Sequence, residues 1–216
     1  MNTTKKILIL IFWLAFFGFF LKRYIPNAWY YTTKGFPPYA GNTWLHNRLW
    51  FALHISAGVF VYAIGILQFT SSIRNRYIKV HRLLGKTYII CSLTCILTLS
   101  FMIPDNTCKS CRISQTIVTS LWFLFIVFAY YFIKQRKIVQ HQRMMIRSFI
   151  CAAYFVTIRA IDKFAMGAFY YFFPDESTAF LVSDIFVWFV PLVLFEIYWR
   201  VKDSRVKPVS ITRQEQ

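Results

Sequence analysis

Residues 115–133, QTIVTSLWFLFIVFAYYFI, run between Arg112 and Lys134 without one charged side chain. As an α-helix such a stretch is about 30 Å long, the thickness of a bilayer's hydrocarbon core. Five more segments share its character: Ile7–Leu21, Leu49–Phe69, Leu83–Ile103, Met144–Ala165 and Ala179–Tyr198. They belong to a 216-residue chain that is 57% hydrophobic, 20% aromatic and only 15% charged. Its mean hydropathy is +0.47. A water-soluble domain of this length does not carry so many long apolar runs. The expected fold is therefore all-α, a polytopic integral membrane bundle of about six transmembrane helices. No linker, repeat or low-complexity run divides it, so residues 1–216 are expected to form a single transmembrane domain. The first helix, 7–21, is short and bounded by Lys6 and by Lys22 and Arg23. Those long side chains can reach the interface, and no small-x-small site follows, so it is expected to be an uncleaved anchor.

Charge predicts the orientation. Of 25 Lys and Arg, 17 fall in one set of loops: Lys5 and Lys6, then Arg74 to Lys86, Lys134 to Arg147, and Arg200 to Arg213. The positive-inside rule places those loops, and both termini, in the cytoplasm of a cell with the chain in its inner membrane. A formal charge of +17 on a soluble protein would raise nucleic acid as a partner. Here the charges flank apolar spans and no nucleic-acid fold motif is present, so anionic lipid headgroups are the expected partner. The external residues 24–46 are rich in Tyr, Trp, Pro and Gly, the composition of an interfacial belt with turns.

Cysteines divide by depth. Cys91, Cys95 and Cys151 fall inside apolar helices and read as small hydrophobes. Cys108 and Cys111 form a Cys-x-x-Cys in the second external loop, where a local disulfide is expected. A redox role is the alternative, because Lys109 and Arg112 would stabilise a thiolate. Zinc would need two further ligands, and none is near in sequence.

Three of the four histidines open faces of small or polar residues at helical spacing. From His54 the face runs Gly58, Val61, Gly65, Gln68; from His81, Gly85, Tyr88, Ser92, Cys95; from His141, Met145, Ser148, Ala152, Phe155, Arg159. Small residues let membrane helices approach and polar ones bond across them, so these faces are expected to meet. The intramembrane charges Arg159, Asp162, Asp184 and Glu196 complete the candidate set, because an ion at membrane depth needs a partner or water. An Arg159–Asp184 pair, and a Glu196 cluster with a histidine or an arginine, are the natural arrangements.

The residues that open these faces carry a resemblance. LHISAG at 53–58, ILQF at 66–69, HRLLGKTY at 81–88, HQRMMIRS at 141–148, then Arg159, Pro191 and Glu196, resemble the bacterial membrane protein family of domain of unknown function 2306. The match runs in order over about 48–198. The family usually has Trp where Met144 stands and Asn where Leu192 stands. The resemblance implies a multi-pass membrane fold and importance for the three histidines, and it implies no reaction.

Three functions fit these residues. The leading one makes the histidine face structural or a contact for lipid. The second is electron transfer through haem b, with His81 and His141 as axial ligands and Arg82, Lys86, Arg143 and Arg147 near the propionates. The third is a pathway for protons or a small solute along the buried charges. No metal beyond a haem iron is expected. No soluble-enzyme motif appears, so whether the chain is an enzyme stays open. The charge asymmetry gives a direct test of topology. Reporter fusions after Gln140 and after Asp105 should score cytoplasmic and external, and scoring on one side would refute the model.

Overall fold

The computed structural model describes residues 44–106 and 108–205, together with scattered helical positions between Ile7 and Lys34. The expected anchor helix 7–21 thus lies largely outside the described residues. Among the described residues the regular structure is all helical. In chain order the helices are α1 (Trp44–Gln68), α2 (Ser71–Arg76), α3 (Ile78–Met102), α4 (Lys109–Lys134), α5 (Ile138–Phe164), α6 (Met166–Phe172) and α7 (Glu176–Arg205), with a 3-10 turn at Ile103–Asp105. Five are long and apolar enough to cross a membrane: α1 from Leu49, α3, α4, α5 and α7.

The helices overrun the apolar segments at both ends. At one, α1 begins at Trp44 rather than Leu49 and α4 at Lys109 rather than Gln115. At the other, α3 begins at Ile78 rather than Leu83, α5 at Ile138 rather than Met144, and α7 continues to Arg205 rather than Tyr198. Hydropathy marks the depth of hydrocarbon, whereas backbone hydrogen bonding continues through Lys and Arg, which are good helix formers. The second of these is the basic end of the bundle. The opposite end carries Cys108 and Cys111, joined in a disulfide. At the basic end α4 turns sharply into α5. Arg136 adopts φ 59° and the Lys137 amide donates to the Phe132 carbonyl at 2.9 Å. That bond closes a Schellman cap, whose left-handed residue is usually glycine.

α1 packs most extensively on α3, and α4 on α5; α7 lies against both α4 and α5, and α1 also touches α5. The interior is mostly apolar but holds a set of polar side chains, and the outer surface carries many large hydrophobics. Ser92, Thr98, Ser114, Ser148, Ser183 and Asp184 are all buried, while Phe60, Leu83, Ile90, Leu124, Phe128 and Leu194 face outward. Large hydrophobics outside and polar groups inside suit a bundle whose solvent is lipid, because hydrocarbon satisfies no hydrogen bond and polar groups must be paired inside.

The expected faces do turn inward. Val61, Tyr88, Ser92, Cys95, Met145, Ser148 and Ala152 are buried. The Tyr88 and Ser148 hydroxyls join α3 to α5 at 3.1 Å. The Gln68 amide donates to the His81 carbonyl at 3.0 Å, and Gly85 leaves room for that side chain. The two glycines of the His54 face differ. A Cβ at Gly65 would overlap the Phe149 ring, whereas one at Gly58 would meet nothing within 4 Å. Gly65→Val should therefore destabilise the bundle by about 1–3 kcal/mol, the cost of overpacking. Gly58→Ala should leave the melting temperature in detergent no lower than that of the parent, because alanine is the better helix former and its Cβ meets nothing. Equal effects at the two positions would contradict this packing.

Candidate functional site

The three histidines do not form one centre. The Thr98 hydroxyl has carbonyl acceptors on its own helix, Thr94 at 3.0 Å and Cys95 at 2.8 Å. Its single proton is thereby used, so His54 Nδ1–H donates to Thr98 Oγ1 at 3.0 Å, tying α1 to α3. The ring stands edge-on to Phe155 and lines a cavity of about 60 Å³ shared with Tyr62, Trp122 and Ala152. His141 Nδ1–H donates to the Ala129 carbonyl at 2.9 Å, tying α5 to α4. His81 is an electrostatic neighbour of His141, and its Nδ1 is buried without a hydrogen-bond partner. Thr98 lies some seventeen residues along α3 from His81, which puts His54 about 25 Å from the other two.

The expected charges divide in the same way. At the basic end Glu196 accepts two hydrogen bonds from Arg147, at 2.6 and 2.9 Å. Arg143 holds Asp203 at 2.7 and 2.8 Å and stacks over the Trp199 ring at 4.3 Å. Arg143 and Arg147, expected near haem propionates, are thus engaged by carboxylates of α7. No cluster of three or more His, Cys, Asp or Glu arranged for a metal ion occurs among the described residues. At the disulfide end the expected Arg159–Asp184 pair is not formed. Arg159 instead contacts Asp162, three residues along its own helix, at 3.6 Å. Its side chain is 59% exposed. A long guanidinium at the edge of the bundle reaches water more cheaply than it enters the seam.

Asp184 has a different partner. Its Oδ1 accepts the Tyr154 hydroxyl at 2.7 Å, joining α7 to α5, and the residue is only 3% exposed. Its Oδ2 is buried with no direct hydrogen bond. Ser114 stands beside the carboxylate; it accepts from the Trp188 indole at 2.9 Å, which leaves its own hydroxyl proton to turn toward Asp184. Sequence spacing did not reveal Tyr154, Ser114 or Trp188. The available signal was that Asp184 and Trp188 lie four residues apart, on one face of α7.

Asp184 lines a cavity of about 700 Å³ at the disulfide end. Ser183 and Ile158 are buried beside it, and the disulfide, Lys109, Arg159, Asp162, Asp175 and Glu176 complete the lining. Ser110 and Ser177 bridge the starts of α4 and α7 at 3.2 Å. Asn106 fixes the adjoining loop, donating to Gln115 at 2.9 Å and accepting from the Cys108 amide at 3.0 Å. Asp175 caps α7 by accepting from the Thr178 amide at 2.7 Å and hydroxyl at 2.6 Å. Those donors hold its carboxyl below the usual carboxylate range. Asp162, Asp175, Glu176 and Asp184 outnumber Lys109 and Arg159 around the cavity, which therefore suits a cation.

These pairings fix what double-mutant cycles should read. Arg147→Ala with Glu196→Ala should show a coupling of about 1–2 kcal/mol, the range for neighbours in one hydrogen-bonded pair. Arg159→Ala with Asp184→Ala should be additive within about 0.5 kcal/mol. Strong coupling of the second pair, measured as thermal stability in detergent, would contradict the geometry.

Residues 51–199 match the family model described as predicted membrane protein (DUF2306). No curated protein and no solved structure matches the chain. With a match over most of its length and an all-helical bundle of membrane-length spans, the chain belongs to the DUF2306 family of predicted membrane proteins.

Proposed function

We propose that the chain is an inner-membrane protein with cytoplasmic termini whose histidine-bearing seam is structural, and whose site is an outward-facing vestibule that binds a small cationic solute. The orientation rests on the clustering of Lys and Arg at the basic end, which places the disulfide end outside. The structural role of the histidines is supported by their partners. His54 and His141 each spend Nδ1–H on a neighbouring helix, as expected of polar residues that hold a membrane seam together. At the basic end, exposed Lys and Arg suit contact with anionic headgroups.

The observation that carries the vestibule reading is Asp184, a residue lining an open cavity whose buried Oδ2 makes no direct hydrogen bond and has the Ser114 hydroxyl as its neighbour. An unpaired charge in such a setting is costly, and a ligand cation with N–H donors would relieve the cost. Tyr154 would hold the other oxygen in place, and Asp162 and Glu176 would draw cations toward the mouth.

A primary alkylamine and the alcohol of equal chain length make the test. The amine should raise the melting temperature of the solubilised protein by about 3 °C at saturation, since ligand binding to the folded state stabilises it. The alcohol should not, and Asp184→Asn should remove the amine's effect. Equal stabilisation by the alcohol, or an effect that survives Asp184→Asn, would refute cation binding.

A further inference from the structure

We infer that the Cys108–Cys111 disulfide is an exchange-active group at the mouth of the vestibule, and that its substrates are small thiols bearing a cationic group. The substrate charge rests on the cation reading of the vestibule; the reactivity rests on the geometry of the disulfide alone.

The two sulfurs are not equivalent. Cys108 is the N-cap of α4, half-buried, and its Sγ accepts the Cys111 amide at 3.3 Å. Cys111 lies one turn inside and is only 5% exposed. Both line the cavity. A thiolate entering from the cavity therefore meets Cys108 Sγ first. Charge on that sulfur, once released, is stabilised by the Cys111 amide and by the positive end of a 26-residue helix. A disulfide buried on both sides, or one remote from any cavity, would serve only as a staple. Here the bridge closes so short a loop that it constrains the unfolded chain little.

The cavity supplies the second half of the fit. Lys109 lies beside the cysteines, Asp162 in the last turn of α5 at the same end of the bundle, and Asp184 about two turns inside α7. A thiol carrying an ammonium group can place its thiolate toward Lys109 and the helix start, with its cation directed to the carboxylates. The unpartnered Asp184 Oδ2 marks where that cation would be held.

The exchange balances in two steps. A first substrate thiolate attacks Cys108 Sγ; a substrate–Cys108 bond forms, the Cys108–Cys111 bond breaks, and Cys111 leaves as thiolate. A second substrate thiolate attacks the substrate sulfur of that mixed disulfide and releases Cys108. Two thiols are oxidised to one disulfide, the protein disulfide is reduced, and the two thiol protons pass to Cys108 and Cys111. The reverse sequence, with a low-molecular-weight disulfide as oxidant, restores the bridge.

The test uses the full chain in detergent and three thiols at equal thiolate concentration: 2-aminoethanethiol, 2-hydroxyethanethiol and 2-sulfanylethanesulfonate. Reduction is followed by acid quench, alkylation and mass. The cationic thiol should reduce Cys108–Cys111 at least tenfold faster than the anionic one, with the neutral thiol between. Asp162→Asn with Asp184→Asn should bring the three rates together. In a Cys111→Ser variant, the oxidised dimer of 2-aminoethanethiol should form an adduct at Cys108, mapped by peptide mass. In Cys108→Ser the adduct at Cys111 should be at least tenfold slower. Absence of reduction, rates independent of thiol charge, or equal adducts at the two cysteines would each overturn the inference. The alkylamine measurement separates the two readings. Amine stabilisation without thiol exchange refutes only the exchange, while loss of both also refutes the cation site.

Discussion

Hydrocarbon offers no hydrogen bonds, and the whole bundle is arranged around that constraint. Five pairs of the long helices are each joined by a polar contact. His54 to Thr98 joins α1 to α3, Tyr88 to Ser148 joins α3 to α5, and His141 to Ala129 joins α5 to α4. Tyr154 to Asp184 joins α5 to α7, and Trp188 to Ser114 joins α7 to α4. Apolar packing cannot specify partners here, since lipid tails are as apolar as Leu or Phe; close-packed small residues and paired polar ones do so instead. Removing one partner leaves the other stranded, which makes these contacts expensive to break even though each adds little on its own.

The two ends of the bundle handle charge differently. At the basic end Arg147 meets Glu196 through two nitrogens, Arg143 reaches both Asp203 oxygens from one nitrogen, and Trp199 stacks against Arg143. Planar guanidinium groups suit such sites because they match carboxylates in geometry and lie flat on aromatic rings. These contacts close that end of the α5–α7 seam. At the disulfide end the same seam opens. Arg159 turns outward to Asp162, and Asp184 keeps one oxygen without a direct hydrogen bond. Both ends keep buried polar atoms without a partner, His81 Nδ1, Arg143 Nε and Trp199 Nε1 at the basic end and Asp184 Oδ2 at the disulfide end. The last belongs to a residue that lines a cavity with an acidic excess, which makes that end the place to seek a cation.

Much of this was legible in the sequence. Five of the six apolar segments correspond to membrane-length helices, because length and hydropathy report bilayer depth directly. The stripes from His54, His81 and His141 were found by helical spacing, which registers which residues share a face. The Glu196 cluster with an arginine was foreseen because a charge at that depth needs a partner. What failed was the choice of partner for Arg159. Spacing fixes the face of one helix but not the rotation of the next, and it cannot tell a side chain that enters the seam from one that reaches water. Tyr154 escaped for a related reason. A tyrosine in an apolar helix looks like any aromatic core residue until the carboxylate it serves is placed opposite. The helix overruns at both ends escaped because hydropathy stops where hydrocarbon stops.

The central claim is that Asp184 lines a cavity that opens at the disulfide end and is reached from the outer face. It is tested most directly by chemical access in intact spheroplasts. The chain would carry Asp184→Cys with Cys91→Ala, Cys95→Ala and Cys151→Ala, and a small, membrane-impermeant cationic methanethiosulfonate would be added outside. The account predicts rapid modification at position 184, and none in a matched chain with Ser148→Cys, whose site is sealed inside the seam. No modification at 184, or modification only when the cytoplasmic face is exposed, would contradict it.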